Sequence, residues 1–186
     1  MMRETPRDNT HTRRTMIEET VSELRRLKQL AENALAQVQD ADFFASLDPE
    51  ANSLAVQAKH VGGNLRSRWT DFLTTDGEKP DRNRDDEFMI GDGDTREALM
   101  QSWEAGWRAC IASVEALGED DLRRTVYIRG EAHSVAKAIQ RSLAHSALHV
   151  GQIVLLAKHY AGPRWKTLSI PRGGSVAFEK TLERGR

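Results

Sequence analysis

Four stretches of this chain repeat apolar residues at intervals of three and four, and no other feature restricts the fold as strongly. In the first, Val21, Leu24, Leu27, Ala31, Ala34 and Val38 fall on one side of an α-helix, so the spacing predicts a helix over 15–39. "LDPEANS" offers Asp48 as N-cap and Pro49 at the first helical position. The second helix is therefore expected from there to about Leu73, with Leu54, Ala58, Val61, Leu65, Trp69 and Phe72 as its stripe. Asp94 and Glu97 have the spacing of a capping box for the third helix. Its stripe is Leu99, Trp103, Gly106, Trp107, Cys110, Val114 and Leu117, and Gly118 is the expected stop. The fourth runs from Ser134 to Tyr160, closed by Gly162 and Pro163. It is apolar nearly all round through its middle, which predicts the most enclosed helix.

The segments between these helices are less regular. "TTDGEKPDRNRDDEFMIGDGD" shows no sustained period and reads as a long loop, a kind that is often functional. "RTVYIRGEAHSV" has β-branched residues on both sides of Arg129-Gly130 and reads as a short hairpin or an extended connector. A tail over 163–186 carries a short helix with Ser175 as cap, and residues 1–14 read as a frayed N-terminus. Four long helices with little strand signal predict an all-α four-helix bundle, a single domain over 1–186.

With 186 residues and one cysteine, the chain is large enough for a core and forms no internal disulfide. The opening "MMRETPRDNT" lacks the apolar run of a signal peptide, so the expected location is cytoplasmic. Ser142–Ala157, the longest stretch free of charged residues, is too short and too polar to span a bilayer. A net charge of -1 gives no reason to expect nucleic acid or an acidic membrane as partner. Charge is nevertheless uneven: 76–97 holds nine acids against four bases, and 158–186 seven bases against two acids. The two regions either approach each other or are solvated separately.

"HSALHVGQI" sets His145 and His149 one turn apart in an otherwise core-forming segment, a spacing that lets two imidazoles share a cation. On the fourth helix they lie on one face with Ala138, Ser142, Gln152 and Leu156. On the second helix, Ser53, Gln57, His60, Asn64 and Ser67 form an uncharged hydrogen-bonding row opposite the apolar stripe. Such a row suits either the lining of an enclosed polar pocket or an exposed face that is short of charge. If His60 meets the pair, three neutral nitrogens surround one divalent ion and leave a position open, as in catalytic sites. The ion would keep its full charge and acidify a bound water or thiol. His11, His133 and His159 lie in the N-terminus, the connector and the end of the last long helix. No zinc-protease motif, phosphate loop, cysteine pair or nucleophile elbow is present.

"QAKHVGGN" and "HSALHVGQI" together resemble the DinB/YfiT-like superfamily of metal-binding four-helix bundles, over Thr15 to about Leu182. "KHVGGNLRSRWTDFLTTDGEKPDRNRDDEF" and "HVGQIVLLAKHYAGPRWKTLSIPRGGS" are similar to a bacterial branch of unknown function. The resemblance implies a metal triad of His60, His145 and His149 holding a divalent ion (Zn, Ni or Fe, with Zn favoured). It further implies transfer of a low-molecular-weight thiol, of the bacillithiol or mycothiol kind, to a small electrophile. A metal-dependent hydrolase, or a non-catalytic, metal-stabilised interaction or stress protein, are the alternatives, and a homodimer fits each. Around the triad, Asn64, Arg68, Gln152 and Arg172 are candidates for binding a small-molecule substrate. Arg172-Gly173-Gly174-Ser175 offers either an anion site or a plain linker. Trp69, Trp103, Trp107 and Trp165 are expected to pack rather than to stack on a ligand.

Overall fold

A computed structural model describes residues 15–184. The expected frayed segment 1–14 lies outside the described residues. The long helices are α1 (Met16–Leu35), α3 (Leu54–Trp69), α4 (Arg96–Glu115) and α5 (Val135–Ala161). Two short helices, α2 (Asp40–Phe44) and α6 (Ser175–Arg184), accompany them. Strands β1 (Thr125–Ile128) and β2 (Glu131–Ser134) pair antiparallel, so the fold is mostly helical with a small sheet rather than strictly all-α. The long helices pack in the cyclic order α1, α4, α3, α5 around one core. Trp69, Trp103 and Trp107 are fully buried in it, as packing residues.

Each long helix begins where a hydroxyl takes an orphan N–H. Thr15 forms a complete capping box with Glu18, Ser53 accepts from Val56, Thr95 from Ala98 and Ser134 from Lys137. Two caps therefore differ from those expected. Asp48 instead closes a tight turn by accepting from Glu50 and Ala51, and α3 starts five residues later than Pro49. Asp94 pairs with Lys59 at 2.7 Å and leaves the capping of α4 to its neighbour Thr95. α1 stops at Leu35 because the Arg96 guanidinium takes the carbonyls of Leu35 and Val38 and the Asp40 carboxylate. Gly118 is no left-handed stop: its φ is -91°, and α4 has ended before it. The stop of α5 is Gly162, at φ 51°.

The approach of α3 to α4 depends on two glycines. A Cβ on Gly106 would collide with the Gly62 carbonyl oxygen, and a Cβ on Gly62 would meet the Ser102 carbonyl oxygen at 2.9 Å. The backbones touch there, and α3 becomes the most enclosed helix. α5 does not: Leu148 and Leu155 are exposed on its outer side, so its all-round apolarity is not matched by all-round burial.

The hairpin turns at Arg129 (φ 57°) and Gly130 (φ 74°), the left-handed pair of a two-residue loop. Both of their N–H groups donate to the Asp76 carboxylate, at 2.8 and 2.7 Å, which fastens the hairpin to the start of the long loop. Among the described residues no helix is long and apolar enough to cross a membrane.

Candidate metal centre

The uncharged row on α3 points inward. Ser53, Gln57, His60 and Ser67 are all buried and Asn64 is half-buried, which decides between the two readings of that face. Its ends serve the backbone, Ser53 as a cap and Ser67 by donating to the Gly77 carbonyl and accepting from Lys79. Its middle faces α5, where His145 and His149 project from successive turns.

The three imidazoles converge. His145 Nε2 lies 3.2 Å from both His60 Nε2 and His149 Nε2, and a ligand atom from each ring falls within 4.8 Å of the others. Nitrogens about 2.0–2.1 Å from a tetrahedral ion stand roughly 3.4 Å apart, so the spacing fits a shared ion. His60 Nδ1 donates to Glu87 Oε2 at 2.8 Å, and His149 Nδ1 donates to Gln57 Oε1 at 2.6 Å. Both rings therefore present Nε2 lone pairs to the centre. Two lone pairs this close to a third nitrogen repel unless a cation or a proton sits among them.

Burial pushes the His149 pKa down to about 4 and that of His145 to about 3, with the neighbouring histidines adding to it, so these rings are uncharged near neutrality. Neutral imidazole is the form that ligates metal. The Glu87 carboxyl would be raised by burial. The Arg82 guanidinium and the His60 ring outweigh that effect and hold it below the usual carboxylate value. Arg82 grips Glu87 by two bonds of 2.7 Å and reaches Glu78 at 3.0 Å. Phe88 lies against His60, ring centroids 4.6 Å apart.

Glu87, Arg82 and Phe88 belong to the long acidic loop, and the sequence did not single them out. The available signal was chemical: a ligating histidine needs an acceptor for its other nitrogen, and that loop is the richest source of carboxylates. Gly63 makes the contact possible, since a Cβ there would meet Glu87 Oε1 at 2.5 Å. The basic tail does not answer the loop's charge, because no ion pair joins the two among the described residues.

The proposed substrate residues divide. Asn64 and Arg68 line a cavity of about 100 Å³ with His145, Ser142, Ala138 and Arg141. Gln152 is exposed on α5, three residues beyond His149, and is not part of that cavity wall. Arg172 is exposed in the tail and is not part of that cavity wall.

A family model, "Protein of unknown function (DUF1572)", matches residues 11–174. The chain belongs to the DUF1572 family. The match holds all three histidines and the whole acidic loop, and it ends one residue before α6. No curated protein matches the chain.

Proposed function

We propose that this DUF1572 member is a divalent-metal-dependent enzyme of the DinB/YfiT-like type, with zinc as its ion and a low-molecular-weight thiol as co-substrate. The observation that carries the metal is the pair of inward lone pairs fixed by Glu87 and Gln57, which converge with the His145 ring at the spacing of a shared ion. A divalent ion in such an all-neutral set supplies undiminished positive charge, which acidifies a thiol or water at neutral pH. The residues of the chain do the rest. His60, His145 and His149 hold the ion and leave room for an exchangeable ligand. Glu87, gripped by Arg82, orients the His60 ring so that its Nε2 faces the centre. Gln57 does the same for His149, less strongly for want of charge. Asn64 and Arg68 bind the organic part of the substrate beside His145.

The test combines elemental analysis with turnover. The purified chain should carry about one zinc, and the zinc-loaded protein should consume an epoxide or activated aryl halide only when bacillithiol or mycothiol is present. Thiol-independent, water-dependent cleavage of a small ester or amide would reassign it as a hydrolase. A chain that melts at the same temperature with and without a strong chelator, and retains no metal, would refute the reading.

A further inference from the structure

The cavity against His145 has an electrostatic imbalance that the metal centre does not explain. Arg68 is half-buried in its wall, yet its guanidinium makes no hydrogen bond among the described residues, and its Nε is fully enclosed without a partner. No carboxylate among the described residues stands within 4.0 Å of it or of Arg141 on the facing helix. The nearby acids are already engaged: Glu87 by Arg82 and His60, and Glu78 by Arg82 and by Arg129 at 3.4 Å. Burial, together with the charges of Arg82, Arg141 and Arg129, pushes the Arg68 pKa down, against the opposing pull of Glu78.

A partly desolvated guanidinium among like charges is costly unless something negative joins it. Two guanidinium forks, an amide and a hydroxyl around one small space form an oxoanion-binding set. Arg141 is held in place by donating to His133 Nε2 at 3.3 Å, and Ser142 Oγ by accepting from Trp69 Nε1 at 3.0 Å. A space of about 100 Å³ is room for an acid group.

We infer that the cavity bounded by Asn64, Arg68, Arg141, Ser142 and His145 is a subsite for a carboxylate or phosphate group carried by the substrate. This rests on the metal-enzyme reading for its role in turnover, though the binding itself does not. With His145 as one wall, the subsite anchors the acid group one side chain away from the imidazole cluster. It thereby selects substrates in which an acid group lies a few bonds from the reacting atom.

The experiment is calorimetric titration of the full-length chain, first metal-free and then zinc-loaded, with succinate and with inorganic phosphate. Both ligands should bind saturably to the metal-free protein. Binding should weaken about tenfold or more in Arg68→Gln and in Arg141→Gln, and should be unchanged in Arg108→Gln, an exposed α4 arginine away from the cavity. Stronger binding of succinate identifies a carboxylate substrate, and stronger binding of phosphate a phosphorylated one. Arg141 is exposed, so its variant tests the subsite even if Arg68→Gln fails to fold. Equal binding by wild type and Arg141→Gln, or no saturable binding at all, overturns the inference. Failure to take up zinc would instead overturn the metal reading and leave the metal-free titration standing.

Discussion

The two walls of the histidine cluster are built differently. On the α3 side, His60 is stacked by Phe88 and bonded to a carboxylate that is itself gripped by a buried arginine. On the α5 side, His145 Nδ1 is buried with no partner and the ring borders a cavity. One wall is fixed before any ligand arrives; the other keeps donors unspent and space free. The contrast is between a His60 locked by its neighbours and a His145 that borders open space between α3 and α5.

The contrast breaks most completely if a triad member is removed. His60→Ala, His145→Ala and His149→Ala should each reduce bound metal from about one ion per chain to under roughly a tenth, read by elemental analysis after desalting. Next in size is Glu87→Ala, which takes from the buried Arg82 its two-bonded partner and leaves it only the more exposed Glu78. It should cost about 3–5 kcal/mol in chemical denaturation and about 10–100-fold in zinc affinity. Gln57→Ala removes a neutral partner only. It should weaken zinc at the lower end of that range with a smaller loss of stability, and equal effects of the two changes would erase the asymmetry.

Acidity sharpens the comparison from the other side. In the metal-free protein His145 and His149 have pKa values below that of a free imidazole, about 3 and about 4. The unfolded chain therefore takes up protons first, and the stability gained from neutral rings, complete above about pH 6.5, is lost as the pH falls toward 4 and then 3. Melting temperatures from pH 7 to 4 should decline, and His149→Gln should flatten the decline. The smallest effect is expected from Gly63→Ala. Its methyl group displaces the Glu87 carboxylate, costing about 1–3 kcal/mol and a few-fold in zinc affinity.

The helices were legible because apolar spacing is a local property, and so was the His145–His149 pair, because i and i+4 histidines carry their geometry with them; His60 stood out only through the uncharged row around it and the family resemblance. The caps at Asp48 and Asp94 misled for a common reason: a side chain able to cap also suits a turn or an ion pair, and tertiary partners decided which. Lys59, which claims Asp94, lies thirty-five residues earlier on another helix. Glu87 and Arg141 were hidden for the same reason, since each gains its meaning from residues far along the chain. The enclosure of α5 was overestimated because hydropathy reports what a side chain tolerates, not whether the fold supplies a neighbour for it.

The clasp between Asp76 and the hairpin turn bears on how the centre fails. The segment that delivers Glu87 is clamped at its start by that clasp and near its end by Lys59 holding Asp94. Closing a longer loop costs only logarithmically more entropy, so a strap of this kind owes its order to a few fastenings rather than to its length. Releasing the Asp76 clamp together with the Ser67 bonds to Gly77 and Lys79 should let the strap swing out while the helices stay packed, a partial opening that native-state hydrogen exchange would detect well below the global unfolding free energy. The histidine cluster would then lose its carboxylate support long before the protein lost its shape.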